Sequence, residues 1–132
     1  MALARNEGLD VQPFFHPRFQ DVLGVNSRVD LAQAEIALQM RRNEALMTGG
    51  VTMLHPETTR VAPGCSIGRD SVIHGGVSIE EDCILGHHCV IERGVVLRNC
   101  MLAANVRIGA NSVLSGCKLA EGESLPPLTR MP

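Results

Sequence analysis

The residues of this chain whose types could do chemistry are five cysteines, the three histidines of its repeat and a short acidic run. Cys65, Cys83, Cys89, Cys100 and Cys117 could ligate a metal or form redox pairs, but no two stand in a Cys-x-x-Cys spacing. His74, His87 and His88 could ligate zinc if stacked on successive turns of a repeat, but the residue 18 after His74 is Glu92. That pair is expected to form a solvated hydrogen bond instead. Glu80-Glu81-Asp82 reads as a solvated charge run at a corner. No Ser-His-Asp or Cys-His set is spaced for nucleophilic catalysis, because the cysteines and the hydroxyls of Ser71 and Ser112 all fall in one inward-facing slot of a repeat.

That repeat must position everything else. Aliphatic residues recur every six positions from Val61 through Ile67, Ile73, Ile79, Leu85, Ile91 and Leu97, and then through Leu102, Ile108, Leu114, Leu119 and Leu125. Three residues before each aliphatic stands Gly, Asn or Asp, as at Gly64, Asp70, Asn99 and Gly122; Thr58 and His88 break the rule. A period of six fits neither a helix nor one flat strand, but it fits a short strand followed by a corner. The Gly, Asn or Asp supplies the left-handed backbone that the corner needs. Three hexads close one triangular turn, so the twelve aliphatics predict about four turns, about 19 Å tall at strand spacing. The interval shortens to five at Leu97–Leu102 and Leu114–Leu119, which should tighten a corner without displacing the inward residues. Each cysteine lies two residues before a repeat aliphatic, where it acts as a small buried hydrophobe.

Composition narrows the function classes. The 132 residues are 45% apolar and 20% charged, which suits one folded domain, and a net charge of −2 gives no basic surface for nucleic acid. No apolar run reaches the roughly 20 residues that span a bilayer, and no secretory signal pattern occurs. A soluble, cytoplasmic chain with reduced thiols is expected.

Along the chain, residues 1–25 form an N-terminal segment with Phe14-Phe15 between Pro13 and Pro17 and room for one short strand. A linker helix occupies the segment 26–50. Asn26 or Ser27 caps it, Asp30 is the capping-box acid, and Gly49-Gly50 ends it, so it should run from about Arg28 to Thr48. Val29, Ala32, Ile36, Met40 and Met47 lie near one face and Leu31, Ala34, Leu38 and Ala45 on a second. Arg28, Gln33, Gln39 and Arg42 are left for solvent. Residues 51–132 form the repeat domain. It begins with a short apolar run closed by His55-Pro56 and ends at Pro126-Pro127, which are expected to stop the ladder.

The hexads IGRDSV, LGHHCV and IGANSV resemble the left-handed parallel β-helix family, and its handedness is implied by that resemblance. Some members place three histidines at a subunit boundary to hold zinc, as the γ-class carbonic anhydrases do; His74, His87 and His88 lack that spacing. VLGVNSRVDLAQAE, NEALMTGGVTMLHPETT and VAPGCSIGRDSVIHGGVSI resemble one family more closely, the bifunctional N-acetylglucosamine-1-phosphate uridyltransferase/glucosamine-1-phosphate acetyltransferase of bacteria. The resemblance covers the end of a nucleotidyltransferase domain, the linker helix and the first β-helix coils.

It implies a mainly β fold, a homotrimer, and a family chemistry that uses magnesium and acetyl-CoA. Asn26 matches an asparagine that helps hold the magnesium, but the partnering aspartate's segment is missing here, as is the glycine-rich nucleotide loop. One neutral ligand cannot hold magnesium. Arg130 matches the first of two arginines around a leucine, and Pro132 falls where the second, sugar-phosphate-contacting one would be. No cofactor is therefore expected. The leading expectation is a trimerising scaffold of the UDP-N-acetylglucosamine-synthesising type without a complete catalytic site. The alternatives are a subunit that completes a nucleotidyltransferase or acetyltransferase site with a separate partner, and a plain protein-binding module.

Overall fold

A computed structural model describes residues 26–132, so the strand expected within 1–25 lies outside the described residues. The chain divides into two compact units after Ala37, within a single helix. That helix, α1, spans Arg28–Thr48, the expected bounds. Ser27 caps it, its Oγ accepting the Asp30 N–H at 3.2 Å, while the Asp30 carboxylate accepts the Asn26 N–H at 3.1 Å. It ends in a Schellman motif. Gly50, at φ 108°, donates to the Met47 carbonyl, and Val51 donates to that of Leu46. The first unit's part of α1 carries Val29, Leu31 and Ile36 exposed.

In the second unit the strands run in order: β1 (Thr52–Met53), β2 (Arg60–Val61), β3 (Ser66–Ile67), β4 (Val72–Ile73), β5 (Ser78–Glu80), β6 (Ile84–Leu85), β7 (Val90–Ile91), β8 (Val96–Arg98), β9 (Met101–Leu102), β10 (Arg107–Ile108), β11 (Val113–Ser115), β12 (Lys118–Leu119), β13 (Ser124–Leu125) and β14 (Arg130–Met131). They stack into three parallel sheets: β1-β4-β7-β10-β13, β2-β5-β8-β11-β14 and β3-β6-β9-β12. This is the expected parallel β-helix, with every third strand in register, as in Ile73↔Ile91 and Ile79↔Leu97.

The repeat aliphatics form the core. Ile73, Ile79, Ile91, Leu97, Ile108 and Leu114 are fully buried, each burial stabilising by about 1.5–3 kcal/mol relative to exposure. All ten Gly, Asn and Asp corner residues have positive φ, from 48° at Asp82 to 89° at Gly64. His88, which breaks the sequence rule, adopts the same conformation at 58°.

Three expectations need correction. The solenoid has just under five turns rather than four, because β1 and β14 extend it beyond the hexads at both ends. Pro126-Pro127 do not stop the ladder. They sit at a corner, where no ladder N–H is required, and Val113 goes on to donate to the Thr129 carbonyl at 2.8 Å. Leu128 turns that corner with φ 64°.

The third correction concerns α1. Gln39 and Arg42, assigned to solvent, dock on the coil together with Asn43, which is fully buried. Gln39 Nε2 donates to the Thr59 carbonyl, Asn43 Nδ2 to the carbonyls of Pro56 and Thr59 at 2.9 and 3.0 Å, and Arg42 Nε to that of Val61 at 2.9 Å. The N–H groups of Arg60 and Ala62 are used by the next coil, so β2 presents its carbonyls at the open edge. An edge of acceptors calls for donors, and a polar helix face supplies them where an apolar one would not.

Candidate functional site

The parallel register carries outward side chains from distant hexads into columns, so the surface that could do chemistry is set by strand pairing. On the second sheet, Glu80 lies opposite Arg98, and Arg98 opposite Ser115. Arg98 Nε donates to Glu80 Oε1 at 2.8 Å, and Ser78 Oγ to Oε2 at 2.9 Å. The Ser78 hydroxyl and then the Arg98 guanidinium hold the Glu80 carboxyl below its ordinary range. Glu80 thus makes an ion pair while still partly solvated, and Glu81 and Asp82 are exposed at the corner as expected.

Beside the first sheet, Glu92 does not engage His74 as expected. Its carboxylate pairs with Arg107 at 2.7 Å and accepts the Ala110 N–H at 3.2 Å, both one coil further on. His74 offers its carbonyl to the Thr59 hydroxyl at 3.2 Å. The corner between the third and first sheets brings His87 and His88 together. His87 Nδ1 and His88 Nδ1 stand 2.8 Å apart, so one ring donates and the other accepts, and His88 Nε2 lies 3.7 Å from the Asp70 carboxylate. Both histidines are exposed. Asn105, one coil on, reaches Glu121 at 3.4 Å. Cys89, the next residue in the chain, is buried with its Sγ on the Ala103 carbonyl, so it is not a nucleophile for these imidazoles to activate. Among the described residues no group of three or more His, Cys, Asp or Glu is placed to hold a metal ion.

The cysteines fill the interior slot. Cys83, Cys89 and Cys100 are buried; Cys65 and Cys117 are half-buried. Burial raises the Cys83 thiol to about 11 and raises those of Cys89 and Cys117. Thiols held protonated in this way are poor nucleophiles. Ser71, Ser112 and Thr59 share the slot and turn their hydroxyls to backbone carbonyls.

The two residues singled out by resemblance sit on separate units. Asn26 is exposed at the start of α1, where its backbone N–H completes the cap. One amide with the capping carboxylate so engaged does not make an octahedral magnesium site. Arg130 is exposed on β14, in register with Val113 at the end of the second sheet. The residues that sequence reasoning missed are the docking donors Gln39, Arg42 and Asn43, and the Glu92–Arg107 pair. The pair was legible in principle, since the single five-residue interval puts Arg107 one coil above Val90, two residues before Glu92.

Sequence comparison agrees with this architecture. The model of the bacterial transferase hexapeptide (six repeats) matches residues 58–93. The bifunctional protein GlmU of Desulfotalea psychrophila is 42% identical over 120 residues, covering 91% of this chain and 35% of that protein. GlmU of Syntrophotalea carbinolica is 40% identical over 119 residues, covering 90% and 26%. GlmU of Shouchella clausii is 34% identical over 131 residues, covering 99% and 29%. Repeat pattern, fold and identity together make this chain a relative of the bifunctional GlmU proteins, of whose length it spans about a third or less.

Proposed function

We propose that this chain acts as a cytoplasmic, trimerising β-helix scaffold related to the UDP-N-acetylglucosamine-synthesising enzymes, with no complete catalytic site of its own and no need for magnesium or acetyl-CoA. The observation that carries this reading is a helix-docked solenoid on whose coils two outward carboxylates are each engaged by an arginine. Glu80 is engaged by Arg98 and Glu92 by Arg107, and the buried thiols are held protonated. Small solenoids gain stability by burying further surface against copies of themselves. Ile84 and Met101, exposed and adjacent on β6 and β9, offer apolar area for that purpose. Among the described residues no helix is long and apolar enough to cross a membrane.

The test is twofold. Light scattering across a concentration series should return three times the monomer mass, and a constant monomer mass overturns the trimer. Purified chain should fail to transfer acetyl from acetyl-CoA to glucosamine-1-phosphate; turnover abolished by a single substitution would refute the scaffold.

A second reading is favoured by Asn26 and Arg130, both exposed at positions that match substrate- or metal-contacting residues of the resembled family. On that reading the chain completes a nucleotidyltransferase or acetyltransferase site with a separate partner. Arg130→Ala would then lower the activity of the reconstituted pair while leaving the chain's fold intact.

A further inference from the structure

Four of the five cysteines stand in one column. Cys65, Cys83, Cys100 and Cys117 immediately precede β3, β6, β9 and β12, the successive strands of the third sheet, whereas Cys89 precedes β7 of the first. The column is continuous. The Cys83 N–H donates to Cys65 Sγ at 3.3 Å, the Cys100 N–H donates to Cys83 Sγ at 3.4 Å, and Cys117 follows Cys100 one coil on, where Met101 pairs with Lys118. Beyond Cys117 the sulfur line does not end, because its Sγ meets the Met131 thioether at 3.3 Å.

We propose that Cys100, Cys117 and Met131 form a binding site for a soft monovalent d10 cation, copper(I) being the fitting ion. Three arguments converge. First, the donor set is two thiols and one thioether, the combination that selects Cu(I) over harder divalent ions. Second, the register sets the spacing. Met101 pairs with Lys118, so the cysteines before them stand one coil apart, about 4.8 Å at strand separation. Two metal–sulfur bonds of about 2.3 Å in line span nearly that distance. Moving Met131 in as a third donor bends the unit toward trigonal and requires only that the present sulfur contact open slightly.

Third, access and accommodation differ along the column. Cys117 and Met131 are half-buried, so an ion reaches the site through them with Cys100 buried behind, whereas Cys83, equally buried, has no thioether neighbour among the contacts described. The column holds no imidazole or carboxylate, so ions that prefer nitrogen or oxygen find no ligand there. Binding is not a redox step. Copper enters as Cu(I), the two thiols lose their protons to solvent, and the bound unit carries one net negative charge.

The chain has no Trp or Tyr, so sulfur-to-copper charge-transfer absorption in the near ultraviolet is unobscured. Reduced full chain is titrated anaerobically with Cu(I) buffered by a chromogenic Cu(I) chelator. The expected result is one copper withheld per chain with a new near-ultraviolet band. Cys117→Ser and Cys100→Ser should abolish both, while Cys89→Ser leaves them unchanged. Serine already fills the same slot at Ser71 and Ser112, and circular dichroism confirms that the variants fold. Met131→Leu, which keeps the apolar volume, should weaken retention by about tenfold or more. The inference is overturned if the chelator strips all copper. It is equally overturned if Cys117→Ser retains as much as the parent, if Cys89→Ser loses as much as Cys117→Ser, or if Met131→Leu is indistinguishable from the parent.

Discussion

Asn43 Nδ2 donates to the Thr59 carbonyl at 3.0 Å, joining a fully buried helix amide to the open edge of the first coil. The same amide also reaches the Pro56 carbonyl, so one side chain satisfies two acceptors that no preceding strand covers. Asn43→Ala removes both bonds, leaving the Thr59 carbonyl to Gln39 and the Pro56 carbonyl to the Thr59 N–H, at a cost of about 1–3 kcal/mol. Urea denaturation should show a lower midpoint with an unchanged slope. Asn43→Asp should cost more, since it turns a carboxylate toward two carbonyl oxygens.

This contact also marks where sequence reading stopped. The corners were legible because only a few residue types accept positive φ, and Gly64, Asp70, Asn99 and Asn111 announce themselves by composition. The helix bounds were legible from Ser27, Asp30 and Gly50. The docked face was not, because amphipathic reasoning assigns Gln39 and Arg42 to water and Asn43 to neither apolar face, and only the solenoid's edge of carbonyls creates a demand for donors. Strands β1 and β14 escaped because they lie outside the hexad count. The cysteines were legible as interior residues. That four of them share one sheet, and end on Met131, follows only from the register that the shortened corners at Asn99 and Gly116 produce. For Asn26 and Arg130 the structure gives a cap and an exposed strand position, so their matches rest on sequence resemblance alone.

Two glycines separate steric crowding from backbone strain. A Cβ on Gly109 would lie 2.3 Å from the Pro127 nitrogen and 2.5 Å from the Pro126 carbonyl carbon, so Gly109→Ala must push the next corner away. A loss of about 1–3 kcal/mol is expected, as for overpacking. Gly116 has open space but φ 67°, so Gly116→Ala should cost only the left-handed penalty of about 1–2 kcal/mol. Combining Gly109→Ala with a smaller residue at Gly116 is impossible, but Gly116→Asn should recover most of the loss, whereas Gly109→Asn should be worse than Gly109→Ala. Denaturation midpoints of the four variants decide it.

Leu128 is an unforced cost in the last corner. It is 67% exposed and holds φ 64°, a conformation that asparagine accepts more readily. Leu128→Asn should stabilise the chain by about 1 kcal/mol, read as a higher thermal midpoint.

The Glu80–Arg98 pair predicts a mild acid sensitivity. The folded carboxyl lies below its ordinary value of 4.5, so its contribution is present above that pH and fades as pH falls through the depressed folded value. Glu80→Gln should therefore lower stability near neutral pH and converge with the parent as pH falls below the depressed folded value. The pair is largely solvated, so added salt should shrink the difference. A difference that persists unchanged in acid would mean that packing, not charge, is responsible.

The interior thiols predict the opposite limb. Burial raises Cys83 from 9.0 to about 11, so its folded form resists ionisation while the unfolded chain ionises readily. The associated stability is complete below pH 9 and is lost as pH rises through about 11. Serine has no such titration, so Cys83→Ser should flatten the alkaline decline while lowering stability at neutral pH through lost sulfur packing. Labelling with an aromatic disulfide reagent at pH 8 gives a second readout. Cys65 and Cys117, half-buried, should react first, and Cys83, Cys89 and Cys100 only as the chain unfolds. If all five react at one rate in native buffer, the column is open to solvent and the alkaline shift must have another origin.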